Sequence, residues 1–373
     1  MTSRSLYSLH LSTARSWRGG ENQIFLLASG LKARGQKVLV VAPEKTPLAD
    51  RCREAGLPAC GLTTRGALDP LASLKLLRLL RREKPDVLHL HDGHAVLQGQ
   101  LVGRAFSRQK LKVVAHRRTA FPLKGRWKYC GRLDRIVAIS RAVQADLCAA
   151  GVPAGQIRLV YSGLEFSKPW GREHPEALRL RESCRMAENE LLLAHAGALS
   201  AEKRQLDIIA ALGQAEKLMK PKRLPGVHLA IAGSGPEEPN LRQAVEKLAL
   251  GEKVHFLGFV RDLRPLWAAS DLAVFASAAE GLCTALVEAQ AAGLPALASR
   301  VGGMPEVVAE EETGLLFEAG DQKALAAGIA SLCSDQVLRA RMGRQAGEHA
   351  REKFSAAGMV ESILKLYREL WAE

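Results

Sequence analysis

The chain has few aromatic residues and no long apolar run. Aromatic side chains make up 5% of its 373 residues, which leaves few stacking platforms for single-stranded nucleic acid. No apolar stretch approaches the ~18–20 residues that cross a bilayer, and the N-terminus lacks the apolar core of a secretory signal. These absences disfavour a single-strand binder and an integral membrane protein, and they favour a globular chain.

The spacing of the cysteines bears on whether the chain has a structural zinc site. The seven of them are scattered along the chain, and no two form a C-x-x-C pair. Closely spaced Cys and His ligands mark structural zinc sites, so this scatter argues against one. An odd number of dispersed cysteines suits a reducing compartment. We therefore expect a cytoplasmic protein without a structural zinc site.

Charge is distributed unevenly between the two halves. Residues 1–165 contain 28 Lys and Arg against 11 Asp and Glu, whereas residues 166–373 contain 25 against 28. The net charge of +14 therefore comes from the first half, which alone carries +17. Such a surplus predicts a polyanionic partner for that half, which is a membrane surface, a phosphorylated acceptor or nucleic acid.

Strand and helix patterns alternate along the whole chain. They begin with a strand at residues 5–9 and a helix from about Glu21 to Ala33, and they restart after residue 190. This alternation predicts a doubly wound parallel sheet in each half. Glycines and prolines between residues 163 and 187 indicate a boundary. We expect domains at 1–165 and 166–355, followed by a helix at 356–373.

The most informative stretch is residues 277–293, which read S-A-A-E-G-L-C-T-A-L-V-E-A-Q-A-A-G. A turn with Glu280 precedes a helix that we expect to be capped by Thr284 and closed by Gly293. The first turn of a helix presents free N–H groups, which favours an anion there. Glu288 lies ~12 Å further along the axis, too far to pair with Glu280 as glycoside hydrolase carboxyls do. The two acids should hold different parts of one elongated ligand.

Several other segments combine glycine or a basic side chain with a strand end. A lone glycine pair is usually a plain turn, and a lone histidine is usually a surface or hydrogen-bonded residue. Position at a strand end raises the odds of a site, because open α/β sheets bind ligands there. The segments are Gly19-Gly20, the histidines His89, His91, His94 and His116, G-A-L-S-A-E-K ending at Lys203, Gly233-Ser234-Gly235-Pro236, and Gly302-Gly303-Met304-Pro305-Glu306.

Glu280 and Glu288, with seven residues between them, resemble the E-x7-E signature of the family-4 retaining glycosyltransferases. The glycine segments and Lys203 resemble further marks of this family, in the usual order, over about residues 5–354. The resemblance implies the α/β GT-B fold, with two Rossmann-like doubly wound domains facing across a cleft and the last helix packed on the first. It also implies transfer of a sugar from a nucleotide-diphosphate donor to a hydroxyl, with retention at the anomeric carbon.

The resemblance implies roles for individual residues as well. His116 and Glu280 correspond to the catalytic positions, Glu288 to the ribose contact, and Lys203 with Gly20 to the diphosphate contacts. The remaining implied substrate-binding residues are Gly19, His91, Gly233, Gly235, Gly281, Leu282, Cys283 and Thr284.

Two features bear on the diphosphate. Most members of this family have an arginine where this chain has Ala198, so Arg204 or a basic residue of the first half would have to replace it. The chain also lacks the D-x-D pair with which the other main glycosyltransferase fold holds Mn²⁺ or Mg²⁺. We therefore expect no metal and no cofactor, with Lys203 and helix N–H groups neutralising the diphosphate.

Other functions remain open at this stage. A sugar-nucleotide epimerase or a phosphorylase shares the GT-B architecture and would use the same donor-side residues. A basic nucleic-acid or membrane-surface protein would leave the motifs of the second half unexplained. A NAD-dependent dehydrogenase is disfavoured, because no G-x-G-x-x-G opens a helix after the first strand.

The first half is the expected acceptor domain. Its segment 121–135 reads F-P-L-K-G-R-W-K-Y-C-G-R-L-D-R, which interleaves basic and aromatic side chains. Such a composition suits the headgroup region of an anionic membrane. The expected partners are thus a nucleotide-sugar donor, a glycan or a glycolipid of the lipopolysaccharide type, and the inner face of the cytoplasmic membrane, but no nucleic acid.

Overall fold

The computed structural model describes residues 4–17, 19–66, 69–106, 110–119, 123, 126–129, 131–166, 169–220 and 225–372, with the backbone alone at 126 and 127. The chain divides into two compact units. The first unit comprises Met1–Glu165 and Phe354–Glu373, and the second comprises Phe166–Lys353. Among the described residues, no helix combines the length and the apolar character that crossing a membrane requires.

The first unit is a parallel sheet in the strand order β3-β2-β1-β4-β5-β6-β7. Its central strands are almost wholly buried, as expected when helices cover both faces. Its elements before the second unit are β1 (Tyr7–Leu11), α1 (Gly19–Ala33), β2 (Lys37–Ala42), α2 (Pro47–Glu54), β3 (Ala59–Gly61), α3 (Pro70–Glu83), β4 (Val87–Leu90), α4 (Gly93–Gly103), β5 (Lys112–Arg117), β6 (Arg135–Ala138), α5 (Arg141–Ala149) and β7 (Ile157–Leu159).

The second unit repeats this architecture with the strand order β10-β9-β8-β11-β12-β13, and every pairing in it is parallel. Its elements are α6 (Pro175–Ser183), β8 (Leu191–Ala196), α7 (Gln205–Met219), β9 (Val227–Ala232), α8 (Glu238–Lys247), β10 (Val254–Gly258), α9 (Arg264–Ala269), β11 (Leu272–Phe275), α10 (Thr284–Ala291), β12 (Ala296–Ser299), α11 (Met304–Val307), β13 (Gly314–Phe317), α12 (Gln322–Ser334) and α13 (Gln336–Lys353).

The last helix, α14 (Ala356–Ala372), belongs to the first unit. The chain returns there through a short backbone pairing, in which Leu164 N donates to Phe354 O at 2.8 Å and Ala356 N donates to Leu164 O at 2.9 Å. The apolar face of α14 packs into the core of this unit, and Val360 covers Gly30 of α1. Burying each Leu or Ile side chain on this face stabilises the fold by about 1.5–3 kcal/mol, so α14 contributes to the stability of the first unit.

Two helices of the first unit begin at a polar cap. Asp69 caps α3, because its side chain accepts from Leu71 N at 2.9 Å and from Ala72 N at 3.1 Å. Ser140 caps α5 and accepts from Val143 N at 3.1 Å. Both are short polar side chains directly before an apolar helical pattern, which is the most local signal a helix offers.

Other predicted boundaries are wrong. The first strand lies at Tyr7–Leu11 instead of 5–9, and α1 begins at Gly19, so the glycine pair opens the helix instead of preceding it. The division between the two units does fall inside the predicted region 163–187, after Glu165, but this region also contains α6, which starts with Pro175. Inside a helix, proline is a break. At the first position of a helix, however, proline is favoured, because the N–H it lacks would be unpaired anyway.

Candidate active site

The carboxyl ends of neighbouring parallel strands meet at one edge of a sheet. In the first unit β1, β4 and β5 are neighbours, and each places two polar side chains, two positions apart, on the same face. These pairs are Ser8 and His10, His89 and His91, and His116 and Arg118. Together with Tyr367 of α14 we call these seven residues the histidine network.

One arm of the histidine network runs through His91. Its Nε2 lies 3.0 Å from Nδ1 of His10, and Nε2 of His10 lies 3.0 Å from the hydroxyl of Ser8. The rings of His10 and His91 are stacked, with centroids 5.2 Å apart. The three side chains are buried, so each polar atom in this arm is paired inside the protein.

The other arm runs through His116. Its Nδ1 lies 3.2 Å from Nε2 of His89, and Nδ1 of His89 lies 2.6 Å from the Tyr367 hydroxyl. Arg118 joins the two arms, because its Nη2 lies 3.3 Å from Nδ1 of His91 and 3.2 Å from Nδ1 of His116. The structure thus brings His91 and His116 together, whereas His94 is exposed on α4.

Burial keeps the imidazoles uncharged. It lowers the pKa of His10 to about 3 and those of the other three histidines of the network well below their usual range, and the Arg118 cation acts in the same direction. Burial also lowers the pKa of Arg118 to about 10, and Glu21 opposes this shift. At neutral pH the network therefore contains four neutral imidazoles around one guanidinium.

Arg118 also connects the network to the start of α1. A side chain added at Gly20 would place its Cβ 3.8 Å from Cδ of Arg118, so this glycine and the guanidinium are neighbours. The Nε and Nη1 atoms of Arg118 are buried and have no hydrogen-bond partner in the described parts of the chain. The predicted residues Gly19 and Gly20 therefore lie at a helix N-terminus beside this cation.

Three of the histidines are close enough to share a metal ion. Ring nitrogens of His10, His89 and His91 lie within 4.8 Å of one another, and no other described group of three or more His, Cys, Asp or Glu side chains does so. Each of these rings is already hydrogen-bonded on both sides, and the Arg118 cation contacts His91. A dication would have to displace these bonds next to a positive charge, so the arrangement fits a hydrogen-bonded network better than a metal centre.

In the second unit the structure brings Lys203 and Glu280 together across 77 positions of sequence, and Nζ of Lys203 donates to Oε1 of Glu280. Ser277 Oγ donates to the same oxygen at 3.1 Å. Lys203 ends a short 3₁₀ helix after β8, and Glu280 lies in the turn between β11 and α10. Burial by itself would lower the pKa of Lys203, but Glu280 and other anionic groups outweigh it and hold that pKa above its usual value.

Glycines allow the loops of the second unit to approach one another closely. A Cβ at Gly233, where φ is +146°, would collide with the carbonyl oxygen of Gly197. A Cβ at Gly302, where φ is +52°, would collide with the carbonyl oxygen of Glu280, and Gly235 is similarly close to Leu199. These approaches bring the glycine segments at 233–236 and 302–306 against the backbones of the segments that contain Lys203 and Glu280.

The start of α10 differs from the prediction that Thr284 caps it. Thr284 is already the first helical residue, and Cys283 holds the cap position at φ +64° without a side-chain hydrogen bond. The preferred caps have extended backbone and a side-chain oxygen, and Cys283 has neither, so it provides no side-chain cap for the first turn. Gly281 and Leu282, which precede them, are buried. The helix ends as predicted at Gly293, where φ is +90°.

Cys283 itself is a poor nucleophile here. Burial, reinforced by Glu280, raises the pKa of its thiol above the ordinary value. The thiol therefore stays protonated at neutral pH, whereas the thiolate is the reactive form. The backbone of Cys283, and not its sulfur, is what the turn presents.

Glu288 lies within α10, and the side chains that affect its pKa are not those of the Lys203–Glu280 pair. Burial raises its pKa to about 7, with Trp267 acting in the opposite direction and Asp262 adding to the increase. A carboxyl group close to half ionised at neutral pH responds strongly to donors that approach it. Two acids in such different surroundings suit two different parts of a ligand.

The predicted substitute for the missing arginine is only partly supported. Ala198 is exposed beside the Lys203 turn, and Arg204 directs its Nε to Asp207 at 2.5 Å. That guanidinium is engaged in an ion pair within its own helix start. Arg118 of the first half has two buried nitrogens, Nε and Nη1, without a hydrogen-bond partner in the part of the chain that the structure describes.

The sequence did contain a signal for His10 and Arg118. S-L-H, H-L-H and H-R-R each place two polar residues two positions apart at the end of an apolar strand. The period of a strand puts such pairs on one face. A single histidine does not show this pattern, which appears only when the three strand ends are compared.

Two family descriptions match adjoining parts of the chain. "Glycosyltransferase Family 4" matches residues 17–168, and "Glycosyl transferases group 1" matches residues 178–349. The second match lies entirely inside the second unit, where the predicted E-x7-E pattern is found.

Among known proteins, the chain is 28% identical over 309 residues to N-acetyl-alpha-D-glucosaminyl L-malate synthase of Bacillus anthracis, covering 79% of this chain and 78% of that one. It is 33% identical over 144 residues to the lipopolysaccharide core biosynthesis glycosyltransferase LpsE of Rhizobium meliloti. That match covers 39% of this chain and 42% of LpsE, which is less than half of either.

Solved structures resemble the whole chain. Anabaena HepE in complex with UDP superimposes with a TM-score of 0.83 at 22% identity, covering 98% of this chain and all of that one. A glycosyltransferase from Rickettsia africae reaches a TM-score of 0.87 at 18% identity, with 98% of each chain covered. At these identities the likeness establishes the fold. The predicted fold class and family are confirmed: the chain belongs to the family-4, group 1 glycosyltransferases and has their α/β GT-B fold of two Rossmann-like domains.

Proposed function

We propose that this glycosyltransferase moves a sugar from a nucleotide-diphosphate donor to a hydroxyl, with retention at the anomeric carbon. The observation that carries the proposal is the Lys203–Glu280 pair beside the uncapped start of α10. A lysine that stays cationic and a row of helix N–H groups suit a diphosphate, and the adjacent carboxylate suits sugar hydroxyls. HepE, which has the same fold, was solved with UDP and with UDP-glucose.

We assign donor binding to the second unit. Lys203 and the N–H groups of residues 281–284 hold the diphosphate and the sugar, Glu280 accepts from sugar hydroxyls, and Glu288 accepts from the ribose. In the proposed scheme the departing phosphate takes the proton of the acceptor, and the thiol of Cys283, which stays protonated, does not act as a base. We assign acceptor binding to the first unit, with His116 and His91.

The proposed scheme uses no metal and no cofactor. Its support is chemical, because an ammonium group and oriented N–H dipoles can stabilise the charge that develops on a leaving diphosphate. Activity should therefore be the same with EDTA as with added Mg²⁺ or Mn²⁺. A loss of transfer in EDTA that Mg²⁺ restores would overturn the metal-free part alone.

A panel of nucleotide sugars tests the proposal as a whole. Thermal shift identifies the donor that binds, and NMR of the product formed on a simple glycoside or glycolipid acceptor gives its anomeric configuration. Retention with release of the nucleoside diphosphate supports the proposal. Inversion, release of free nucleotide without an acceptor, or consumption of phosphate would contradict it, and the last two outcomes identify an epimerase and a phosphorylase.

We further propose that the acceptor is a glycolipid or lipopolysaccharide-type glycan at an anionic membrane surface. The segment 121–135 cannot support this, because Phe121, Lys124 and the side chain of Trp127 lie outside the described residues. Helix α3 does support it. Leu71 and Leu74 are 66% and 42% exposed, and Lys75 and Arg78 continue the same exposed face.

Apolar side chains beside basic ones suit a headgroup region, and each Lys or Arg close to such a surface contributes about 1 kcal/mol. The test is co-sedimentation with vesicles that contain phosphatidylglycerol or phosphatidylcholine alone. Binding to the anionic vesicles at low salt should fall at least tenfold in Lys75→Glu/Arg78→Glu. The exposed Lys247→Glu of the second unit is the matched control. Equal loss in both variants, or no binding by the wild type, would contradict docking through α3.

A further inference from the structure

Arg118 differs from every other member of the histidine network because it can only donate hydrogen bonds. A guanidinium has five N–H groups and no acceptor. Its Nη2 faces Nδ1 of His91 at 3.3 Å and Nδ1 of His116 at 3.2 Å. A neutral imidazole nitrogen that faces a donor must present its lone pair. His91 and His116 must therefore carry their protons on Nε2.

This assignment propagates along the arm of His91. With its proton on Nε2, His91 donates across 3.0 Å to Nδ1 of His10. His10 then has its own proton on Nε2, from which it donates to Ser8 Oγ at 3.0 Å. The tautomers of both rings follow from the single donor at Arg118.

The arm of His116 is ordered in the same way. Since Nδ1 of His116 is an acceptor, the facing Nε2 of His89 at 3.2 Å must be protonated. Nδ1 of His89 is then an acceptor, and the Tyr367 hydroxyl donates to it at 2.6 Å. Reversing any one of these contacts would set two lone pairs or two N–H groups face to face inside the protein, where an unmade hydrogen bond is costly.

One nitrogen remains. Nε2 of His116 carries a proton and has no partner in the described parts of the chain. We propose that Arg118 is a positioning residue that fixes the tautomer of His116 and so makes this nitrogen a hydrogen-bond donor to a ligand oxygen, not a proton acceptor. This inference rests on the proposed function, in which that oxygen belongs to the sugar or to the acceptor glycan.

The stability that Arg118 costs the fold is consistent with a role in positioning His116. Its Nε and Nη1 are buried without a hydrogen-bond partner among the described residues, so Arg118 lowers stability compared with a well-packed apolar side chain. In transfer with retention, a lone pair on His116 would compete with the departing phosphate for the proton of the acceptor. A fixed N–H removes this competition and still orients the oxygen.

The tautomers can be measured directly on the free protein. In protein labelled with ¹⁵N at histidine, long-range ¹H–¹⁵N correlation spectra should show the four rings of the network with a proton on Nε2. Arg118→Met removes the donor and should leave His91 and His116 as mixtures of tautomers. Arg118→Lys also presents only donors and should restore the order. Arg117→Met, at the adjacent position of β5, is the matched control and should leave the spectra unchanged.

Activity provides a second readout. Arg118→Met should lower kcat at least tenfold with the donor KM within about threefold, and Arg118→Lys should recover most of the loss. A proton on Nδ1 of His116 in the wild type, unchanged tautomers in Arg118→Met, or zinc bound by His10, His89 and His91 would each overturn the inference. If Arg118→Met fails to fold, the wild-type and Arg118→Lys spectra still decide. Failure of sugar transfer would leave the spectra untouched, so the two proposals fail separately.

Discussion

The two units differ in the charge of the side chains that lie at the ends of their strands. The first half of the chain carries a surplus of 17 positive charges, yet its strand ends hold four neutral imidazoles around a single guanidinium. The second half is close to neutral overall, yet its loops hold the Lys203–Glu280 ion pair. The net charge of a half therefore describes its surface, whereas burial decides the charge at its candidate site.

The difference follows from the elements that carry the residues. The histidine network stands on the face of a sheet, under α14, where charged forms lose their hydration. Lys203 and Glu280 come from a turn and a loop, and their side chains remain 21% and 11% exposed. Loops stay close to solvent and to ligands, and so they can keep an ion pair. The predictions below test this contrast from the larger effect to the smaller.

The largest effect should come from removing the carboxylate of the ion pair. Glu280→Gln should lower kcat at least a hundredfold while the melting temperature changes little, because the charge that orients Lys203 and the sugar is lost. Steady-state kinetics and a thermal melt check this. Glu318→Gln, whose carboxylate is 74% exposed, is the control. Retention of more than about a tenth of the wild-type kcat, a loss below ~1.4 kcal/mol, would contradict the catalytic assignment.

A smaller loss is expected from the cation. Lys203→Ala should weaken binding of the nucleoside diphosphate about tenfold or more, since a charge-assisted contact contributes roughly 1.5–3 kcal/mol. Isothermal titration calorimetry with UDP and related diphosphates measures it. The exposed Lys247→Ala should have no effect. Equal affinities in the two variants would show that another group holds the phosphate.

The smallest effect concerns Glu288, whose pKa of about 7 makes it titrate near neutral pH. Ribose hydroxyls donate best to the ionised carboxylate, so nucleotide affinity should rise several-fold from pH 6 to pH 8. Affinity for a nucleoside and its diphosphate, measured over this range, checks the slope. Glu288→Gln should flatten it. The same slope in wild type and variant would contradict the ribose role.

The free protein should show the opposite sign. The pKa of Glu288 is raised from 4.5 to about 7 on folding. The contribution of this carboxyl to the free energy of unfolding is therefore most favourable below pH 4.5, and it decreases as the pH rises to 7. Glu288→Gln should therefore raise the melting temperature at pH 8 and leave it nearly unchanged at pH 5. Because Glu288 is half-buried, solvent screening limits this gain to no more than about 3 kcal/mol. Equal melting shifts at both pH values would contradict the raised pKa of Glu288.

Local sequence signals predicted much of this architecture. The alternation of strands and helices and the end of α10 at Gly293 each depend on a few adjacent residues, and both are confirmed. The helices that start with proline, such as α2 and α6, were not predicted, because the same residue also ends helices.

The candidate site was harder to predict where it depends on distant residues. The order of the motifs identified the family, but the contact between Lys203 and Glu280 spans 77 positions and follows only from the strand order. The hydrogen bond from Tyr367 to His89 spans 278 positions. Whether a histidine is neutral depends on what covers it, and a pattern of single residues does not contain that information.

Helix α14 has a consequence for how the chain is made. During synthesis the second unit is a continuous segment and is complete once residue 353 has left the ribosome. The first unit keeps part of its apolar core uncovered until then, because the residues that fill it are synthesised after the second unit. We therefore expect the order of folding to reverse the order of translation. A nascent chain halted before α14 should expose the first unit to chaperones and proteases while the second is already protected.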